Sequence, residues 1–299
     1  MPLHRLTSIT IGVPDVDAAR AFYRDFGLEE REPGRFATAA GGEQLRLVTA
    51  PRRNLLELGI GVDDPEDLGR IAARLERLDV AVQRETRLLR ATEPVTGIRV
   101  VVEMTERIAQ PAEPALALNG PGRSERTDAR SPAVGDAQPA RPRKLGHVVV
   151  GSTDAALSRR FFVDGVGFRV SDEIPGFGAT FMRCSTDHHN LLVQPAPATF
   201  LHHTAWEVGD VDEIGRGASR LLRDHPERHV WGLGRHAIGS NFFWYLRDPA
   251  GNFVEYYSDL DVIVDDELWK VRASSGADGL AAWAPPVPAQ FLMPEDVLG

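Results

Sequence analysis

Histidine is distributed very unevenly along this chain of 299 residues. Of nine histidines, only His4 precedes residue 147, and His147, His188, His189, His202, His203, His225, His229 and His236 all follow. Imidazoles are the side chains that move protons near neutral pH and ligate metals, so this clustering points to chemistry in the second half. A second informative stretch is RHAIGSNFFWYLRDPAGNFVEYYSDLD, from Arg235 to Asp261. Its alternating aromatics through Phe243 and Tyr245 predict a strand, Asp248 to Gly251 a tight turn, and Phe253 to Tyr257 a second strand. With Phe253, Glu255 and Tyr257 on one face, a carboxylate stands in the middle of an aromatic surface. A buried carboxylate is costly unless it is paired or bound to a metal, so Glu255 requires a partner.

The elements that would supply that partner follow from internal repetition. Ser8 to Asp15 reads as a strand ending at a helix N-cap, followed by AARAFYRDFG with apolar residues at helical spacing. The stretch from His147 to Asp154, followed by AALSRRFFVDGVG, has the same shape and places Ser8 on His147. Two further copies align without a gap, Glu57 to Asp64 and His203 to Asp210. The chain therefore reads as four modules of one strand, one helix and about three strands. Paired, they predict an α+β protein of two domains, each of two βαβββ modules forming an open barrel around a cavity.

This register selects among the histidines. His147 and His203 each stand seven residues before a helix-capping Asp, so they occupy equivalent places on the first strands of the third and fourth modules. Pseudo-twofold symmetry brings such positions together at the centre of one cavity, within reach of Glu255. Two imidazoles and one carboxylate form the facial arrangement favoured by non-haem Fe(II), which leaves positions open for substrate and oxygen. The matching positions of the first half hold Ser8, Glu57 and approximately Val101, which cannot form it. Taken singly, each of these histidines would read as a hydrogen-bonded structural residue. Their joint placement is what carries the metal reading.

Around that triad, His189 precedes the strand Leu191-Leu192-Val193 and is expected to enter the cavity, with His188 facing away. Strand alternation likewise sends His202 to the face opposite His203. His236 and Tyr245, from the hairpin, complete a set able to move protons around a metal-bound phenol. His225 and His229 read as exposed loop residues. Phe177, Phe181, Trp206 and Phe243 are candidate cavity aromatics, and several of them on the wall would favour a bulky or apolar ligand.

Composition bounds the remaining possibilities. A net charge of -9 argues against nucleic acid or an anionic membrane as principal partner. The single Cys184 excludes an intrachain disulfide, and no apolar run approaches the roughly 20 residues of a membrane span. The start, MPLHRLTSITIGV, lacks signal-peptide organisation, and a cytoplasmic protein is expected. The expected division is an N-terminal domain without a metal site over 1–108, a solvated low-complexity linker over 109–143, a metal-binding catalytic domain over 144–262 and a tail over 263–299. Isolated aromatics in the tail, Trp269, Trp283 and Phe291, suggest a segment pinned onto a domain or a neighbouring subunit, with disorder as the rival reading.

These residues resemble a known family. LGHVVV around His147, DHHNLLV around His189, LHHTAWEV around His203, RHAIGSNFFWY from Arg235 and DPAGNFVEYYSD around Glu255 are similar to the vicinal oxygen chelate superfamily, and within it to the type I extradiol ring-cleavage dioxygenases. The resemblance covers about residues 5 to 262 and is more specific in the second half. It implies the glyoxalase/bleomycin-resistance/dioxygenase fold, and His147, His203 and Glu255 as ligands of Fe(II) or Mn(II). It also implies His189, His236 and Tyr245 as acid/base and substrate-binding residues. The implied reaction is ring opening of a catechol with O2 beside the diol, in a homo-oligomer. The same fold also hosts glyoxalase-like isomerases, thiol transferases and metal-free drug-binding proteins, so the side chains must decide.

Overall fold

The computed structural model describes residues 2–112, 114, 116–135, 138–272, 280–292 and 294. Four βαβββ modules follow one another. The first comprises β1 (Leu3–Val13), α1 (Val16–Asp25), β2 (Glu29–Glu32), β3 (Arg35–Thr38) and β4 (Gly42–Thr49), and the second β5 (Asn54–Val62), α2 (Pro65–Glu76), β6 (Val82–Arg84), β7 (Leu88–Thr92) and β8 (Arg99–Met104). A short helix, α3 (Pro132–Gly135), lies in the connection. The third module comprises β9 (Lys144–Ser152), α4 (Ala155–Arg160) running into a π-helical turn, β10 (Arg169–Ile174), β11 (Ala179–Arg183) and β12 (Leu191–Pro195). The fourth comprises β13 (Phe200–Glu207), α5 (Val211–Asp224), β14 (His229–His236), β15 (Phe242–Arg247) and β16 (Phe253–Ser258). A tail strand, β17 (Ala281–Trp283), and a turn of helix, α6 (Ala289–Leu292), end the described chain.

Local chemistry sets the module frame. Each of the four principal helices starts at an aspartate whose carboxylate accepts a backbone N–H three residues on: Asp15 from Ala18, Asp64 from Asp67, Asp154 from Leu157 and Asp210 from Glu213. That bond satisfies one of the donors a helix N-terminus leaves unpaired, and it stops the preceding strand at a fixed distance.

The strands form two sheets, β2-β3-β4-β1-β5-β8-β7-β6 and β10-β11-β12-β9-β13-β16-β15-β14-β17. In each, the first strands of two modules meet antiparallel at the centre, as β1 with β5 and β9 with β13. The registers agree across the two halves: Thr10 opposes Glu57 as Val149 opposes His203, and Gly59 opposes Val101 as Ala205 opposes Glu255. Ser8, Glu57 and Val101 are thus the structural counterparts of His147, His203 and Glu255.

The two halves share one apolar core. Phe26 and Tyr256 stack at a centroid distance of 3.9 Å, and the Tyr256 hydroxyl donates to the Phe26 carbonyl at 2.6 Å. Burying each ring contributes about 1.5–3 kcal/mol, so the halves are packed together rather than loosely tethered. The connection departs from a fully solvated linker at its end. Ala140 is buried against Gly27 and Gly217, and Ala39 and Gly41 donate backbone N–H groups to Pro142 and Arg143.

Both described parts of the tail pack onto the second half of the same chain. Trp269 Nε1 donates to the Ser171 carbonyl, Arg272 bonds to β10, and β17 adds to the sheet edge beside β14. The remaining tail residues, 273–279, 293 and 295–299, lie outside the described residues. Among the described residues, no helix is long and apolar enough to cross a membrane.

Candidate metal centre

Three adjacent strands bring the triad together. His147 comes from the middle of β9, His203 from β13 and Glu255 from β16, with Ala205 bridging the register between His147 and Glu255. Glu255 Oε2 lies 3.0 Å from His147 Nε2 and 3.6 Å from His203 Nε2, and the two Nε2 atoms are 3.3 Å apart. Among the described residues these form the one group of three such side chains able to share a metal ion, and all three are buried.

The donor set fits a first-row divalent cation. Ligand bonds of about 2.1 Å put donor atoms about 3.0 Å apart at right angles and about 3.4 Å apart at tetrahedral angles, and the three separations here are 3.0, 3.3 and 3.6 Å. Glu255 is fully inaccessible to solvent, and among the described residues its Oε2 accepts no hydrogen bond. Such an oxygen is a heavy desolvation cost that a bound cation removes. Burial, reinforced by His202 and His147, holds the His203 imidazole well below its ordinary pKa, in the neutral form a metal needs.

The supporting shell fixes orientation. Glu255 Oε1 accepts from Asn241 Nδ2 at 3.1 Å. His203 Nδ1 lies 2.8 Å from His202 Nδ1, and His202 Nε2 lies 2.6 Å from the Phe291 carbonyl. A carbonyl only accepts, so His202 carries its hydrogen on Nε2. Burial lowers its pKa to about 4, so it is neutral, its Nδ1 accepts from His203 Nδ1–H, and His203 Nε2 is left with a lone pair able to ligate a metal.

This arrangement corrects the expected direction of His202. The β9–β13 ladder steps from Leu201 opposite Val150 to His203 opposite Val149, which leaves His202 as the extra residue of a bulge. Alternation fails at a bulge, so two consecutive imidazoles gather at one cavity.

That cavity has a volume of about 300 Å³ and borders His147 and His203. The three accessory residues also line it. His236 Nδ1 donates to the Leu280 carbonyl at 2.6 Å, leaving Nε2 to accept from the Tyr245 hydroxyl at 2.9 Å. Burial outweighs the pull of Glu255 and of that carbonyl, and lowers the His236 pKa. Burial, together with Glu255, pushes the Tyr245 phenol well above its ordinary range, so it remains a donor. His189 is held well below its ordinary value by burial and by the surrounding imidazoles, His147 foremost.

Of the four candidate aromatics, Phe177 and Phe181 line the cavity, whereas Trp206 belongs to the core and Phe243 stacks beneath His236 at 4.0 Å. His225 and His229 are exposed, as expected, but His229 opens β14 instead of standing in a loop. Asn241, the Leu280 and Phe291 carbonyls and the Phe291 ring are site components that local periodicity did not single out. The isolated tail aromatics were the one signal pointing to the last of them.

Comparison with known proteins accords with this geometry. The Glyoxalase/Bleomycin resistance protein/Dioxygenase superfamily model matches residues 144–256. The matched segment contains all three triad residues and all three accessory residues. "Metapyrocatechase 2" of Cupriavidus necator is 38% identical over 152 residues, 50% of this chain and 47% of that protein. The "2,2',3-trihydroxybiphenyl dioxygenase" of Sphingomonas paucimobilis is 27% identical over 260 residues, 82% of this chain and 83% of that protein. The chain spans about half the length of the first curated relatives it matches. Among solved structures, the Mn(II)-bound glyoxalase from Novosphingobium aromaticivorans superposes with a TM-score of 0.76 at 25% identity, covering 97% of this chain and 94% of that one.

Proposed function

We propose that this chain is an extradiol dioxygenase, which opens the aromatic ring of a catechol with O2 at a two-histidine, one-carboxylate Fe(II) site. The observation that carries this reading is the convergence of His147, His203 and Glu255, with both histidines bordering a cavity that also presents His189, His236 and Tyr245. Bound by the triad, Fe(II), or Mn(II) in its place, would acidify a catechol hydroxyl and pass electrons between the ring and O2. Relatives that are dioxygenases of hydroxylated biphenyls support this reading, and a manganese-dependent 2,3-dihydroxybiphenyl 1,2-dioxygenase from Geobacillus is among them.

The chain's own residues have separable tasks in this reading. Tyr245 O–H and His236 orient the two catechol oxygens, because their mutual hydrogen bond already fixes both side chains. His189 Nε2 takes a proton from a catechol hydroxyl and returns it as the ring opens, so the net proton count is unchanged. Val149, Ile174, Phe181, Leu192 and Ile238 give the cavity an apolar wall that excludes water. That wall favours a catechol with an apolar substituent over catechol itself.

The likeness to a Mn(II)-bound glyoxalase favours a second reading, an isomerase that consumes no oxygen. One experiment separates the two. Anaerobically iron-loaded protein is mixed with substituted catechols under air, while oxygen uptake and visible absorbance are followed. We expect one O2 consumed per catechol and the yellow colour of a ring-opened product. Absence of oxygen uptake across apolar and polar catechols would contradict the assignment. In His189→Ala the metal content should be retained and turnover should fall by about 100-fold, the usual worth of a positioned acid/base.

A further inference from the structure

His189 does not stand alone in its wall of the cavity. Its Nδ1 lies 3.0 Å from His188 Nδ1, and His188 Nε2 lies 3.1 Å from Asp172 Oδ2. Asp172 Oδ1 accepts the Arg272 backbone N–H at 2.6 Å. All three side chains are buried, His188 completely. The tail covers them, with the Trp269 ring edge-on to His188 at a centroid distance of 5.3 Å. Gly239 passes close over the pair: with φ of +82°, a Cβ there would lie 3.3 Å from His188 Nδ1 and 3.4 Å from His189 Cε1.

With both imidazoles neutral, the hydrogens along this chain can be placed by elimination. A carboxylate accepts, so His188 carries its hydrogen on Nε2. In a neutral ring, Nδ1 is then an acceptor, and the hydrogen between the two facing Nδ1 atoms belongs to His189. His189 Nε2 is left as a bare lone pair, and the His189 side chain lines the cavity. The pair His202–His203 shows the same design, with the Phe291 carbonyl where Asp172 stands here.

We propose that Asp172 and His188 are positioning residues that lock His189 in its Nδ1–H tautomer, so that it meets a bound substrate as a proton acceptor at Nε2. This rests on the dioxygenase reading for its chemical consequence, though not for the tautomer itself. The proton His189 later returns is the one it has taken, because its own hydrogen is committed to His188.

Substitution at residue 172 can invert the chain. In Asp172→Asn the Arg272 N–H claims the amide oxygen, so the amide NH2 faces His188 Nε2. That nitrogen must become an acceptor, its hydrogen moves to Nδ1, and His189 is driven to the Nε2–H form. His188→Asn places an amide oxygen near the former Nδ1 and preserves acceptance from His189, whereas His188→Leu does not.

The test is long-range 1H–15N correlation spectroscopy of histidine-labelled, metal-free protein, joined to steady-state kinetics of the iron-loaded enzyme. We expect His189 protonated on Nδ1 in the wild type and on Nε2 in Asp172→Asn. In that variant kcat should fall about 100-fold with metal content and KM unchanged. His188→Asn should keep most of the turnover that His188→Leu loses, an ordering that loss of packing alone would not produce. An Nε2–H tautomer for His189 in the wild type overturns the proposal, as does wild-type turnover in Asp172→Asn or in His188→Leu. Failure of the wild type to consume oxygen with any catechol would instead overturn the dioxygenase reading and leave the tautomer result standing.

Discussion

The two halves of this molecule repeat one backbone plan and differ in what three equivalent positions carry. In the first half, Ser8, Glu57 and Val101 stand where the second half has His147, His203 and Glu255. Glu57 is partly exposed and answers Arg99 at 2.9 Å across the neighbouring strand, an ordinary surface ion pair worth little to stability. Glu255 is sealed from water among imidazoles, and among the described residues one of its oxygens accepts no hydrogen bond. The comparison teaches that a paired-module sheet creates a central meeting point without dictating its use. The side chains placed there decide between a structural scaffold and a metal centre.

The largest expected effect comes from exchanging the same group in both halves. Glu255→Gln should abolish metal retention and turnover, while Glu57→Gln should change neither, as read by elemental analysis and oxygen uptake. Metal loss from Glu57→Gln would break the contrast between the halves.

A smaller effect sharpens the role of the supporting shell. Asn241→Ala removes the donor to Glu255 Oε1 and should weaken metal affinity by about 10-fold or more, measured by chelator competition. Unchanged affinity would mean that the strand alone orients the carboxylate.

The smallest effect concerns the first half and acid. Burial disfavours the charged form of Glu30, but hydrogen bonds from Arg20, the Gly34 N–H and Arg24 outweigh it and lower the carboxyl pKa from 4.5 to about 2. A carboxyl depressed on folding stabilises the protein above its unfolded value, and that contribution is lost as pH falls through the folded one. Glu30→Gln should therefore lower Tm at pH 6 and lose most of that deficit by pH 2, with metal content untouched at neutral pH. An equal Tm deficit at both pH values would contradict the linkage.

Much of this was legible from the sequence because the repeat carries its own punctuation. Four helix-capping aspartates, each seven residues beyond the central strand position, tie distant strands into one frame. The frame places His147, His203 and Glu255 before any coordinates are known. What stayed hidden depends on contacts that no local period encodes. The bulge at His202 reverses the alternation that a regular strand predicts. Asp172 and His188 meet across a strand and a loop, and Asn241 reaches Glu255 from the turn before β15. The tail supplies carbonyls from Leu280 and Phe291 to two site histidines, and nothing in its composition specifies where it docks.

The central claim is that one divalent cation sits between two imidazole nitrogens and one carboxylate oxygen of the second half, with coordination positions left open. Anomalous diffraction at the iron absorption edge, from crystals of anaerobically iron-loaded protein, tests it most directly. The account predicts a single strong peak within bonding distance of His147 Nε2, His203 Nε2 and Glu255 Oε2, with only solvent or substrate completing the sphere. A peak beside Ser8, Glu57 and Val101, a fourth protein ligand, or no peak at the triad in fully loaded crystals would contradict it.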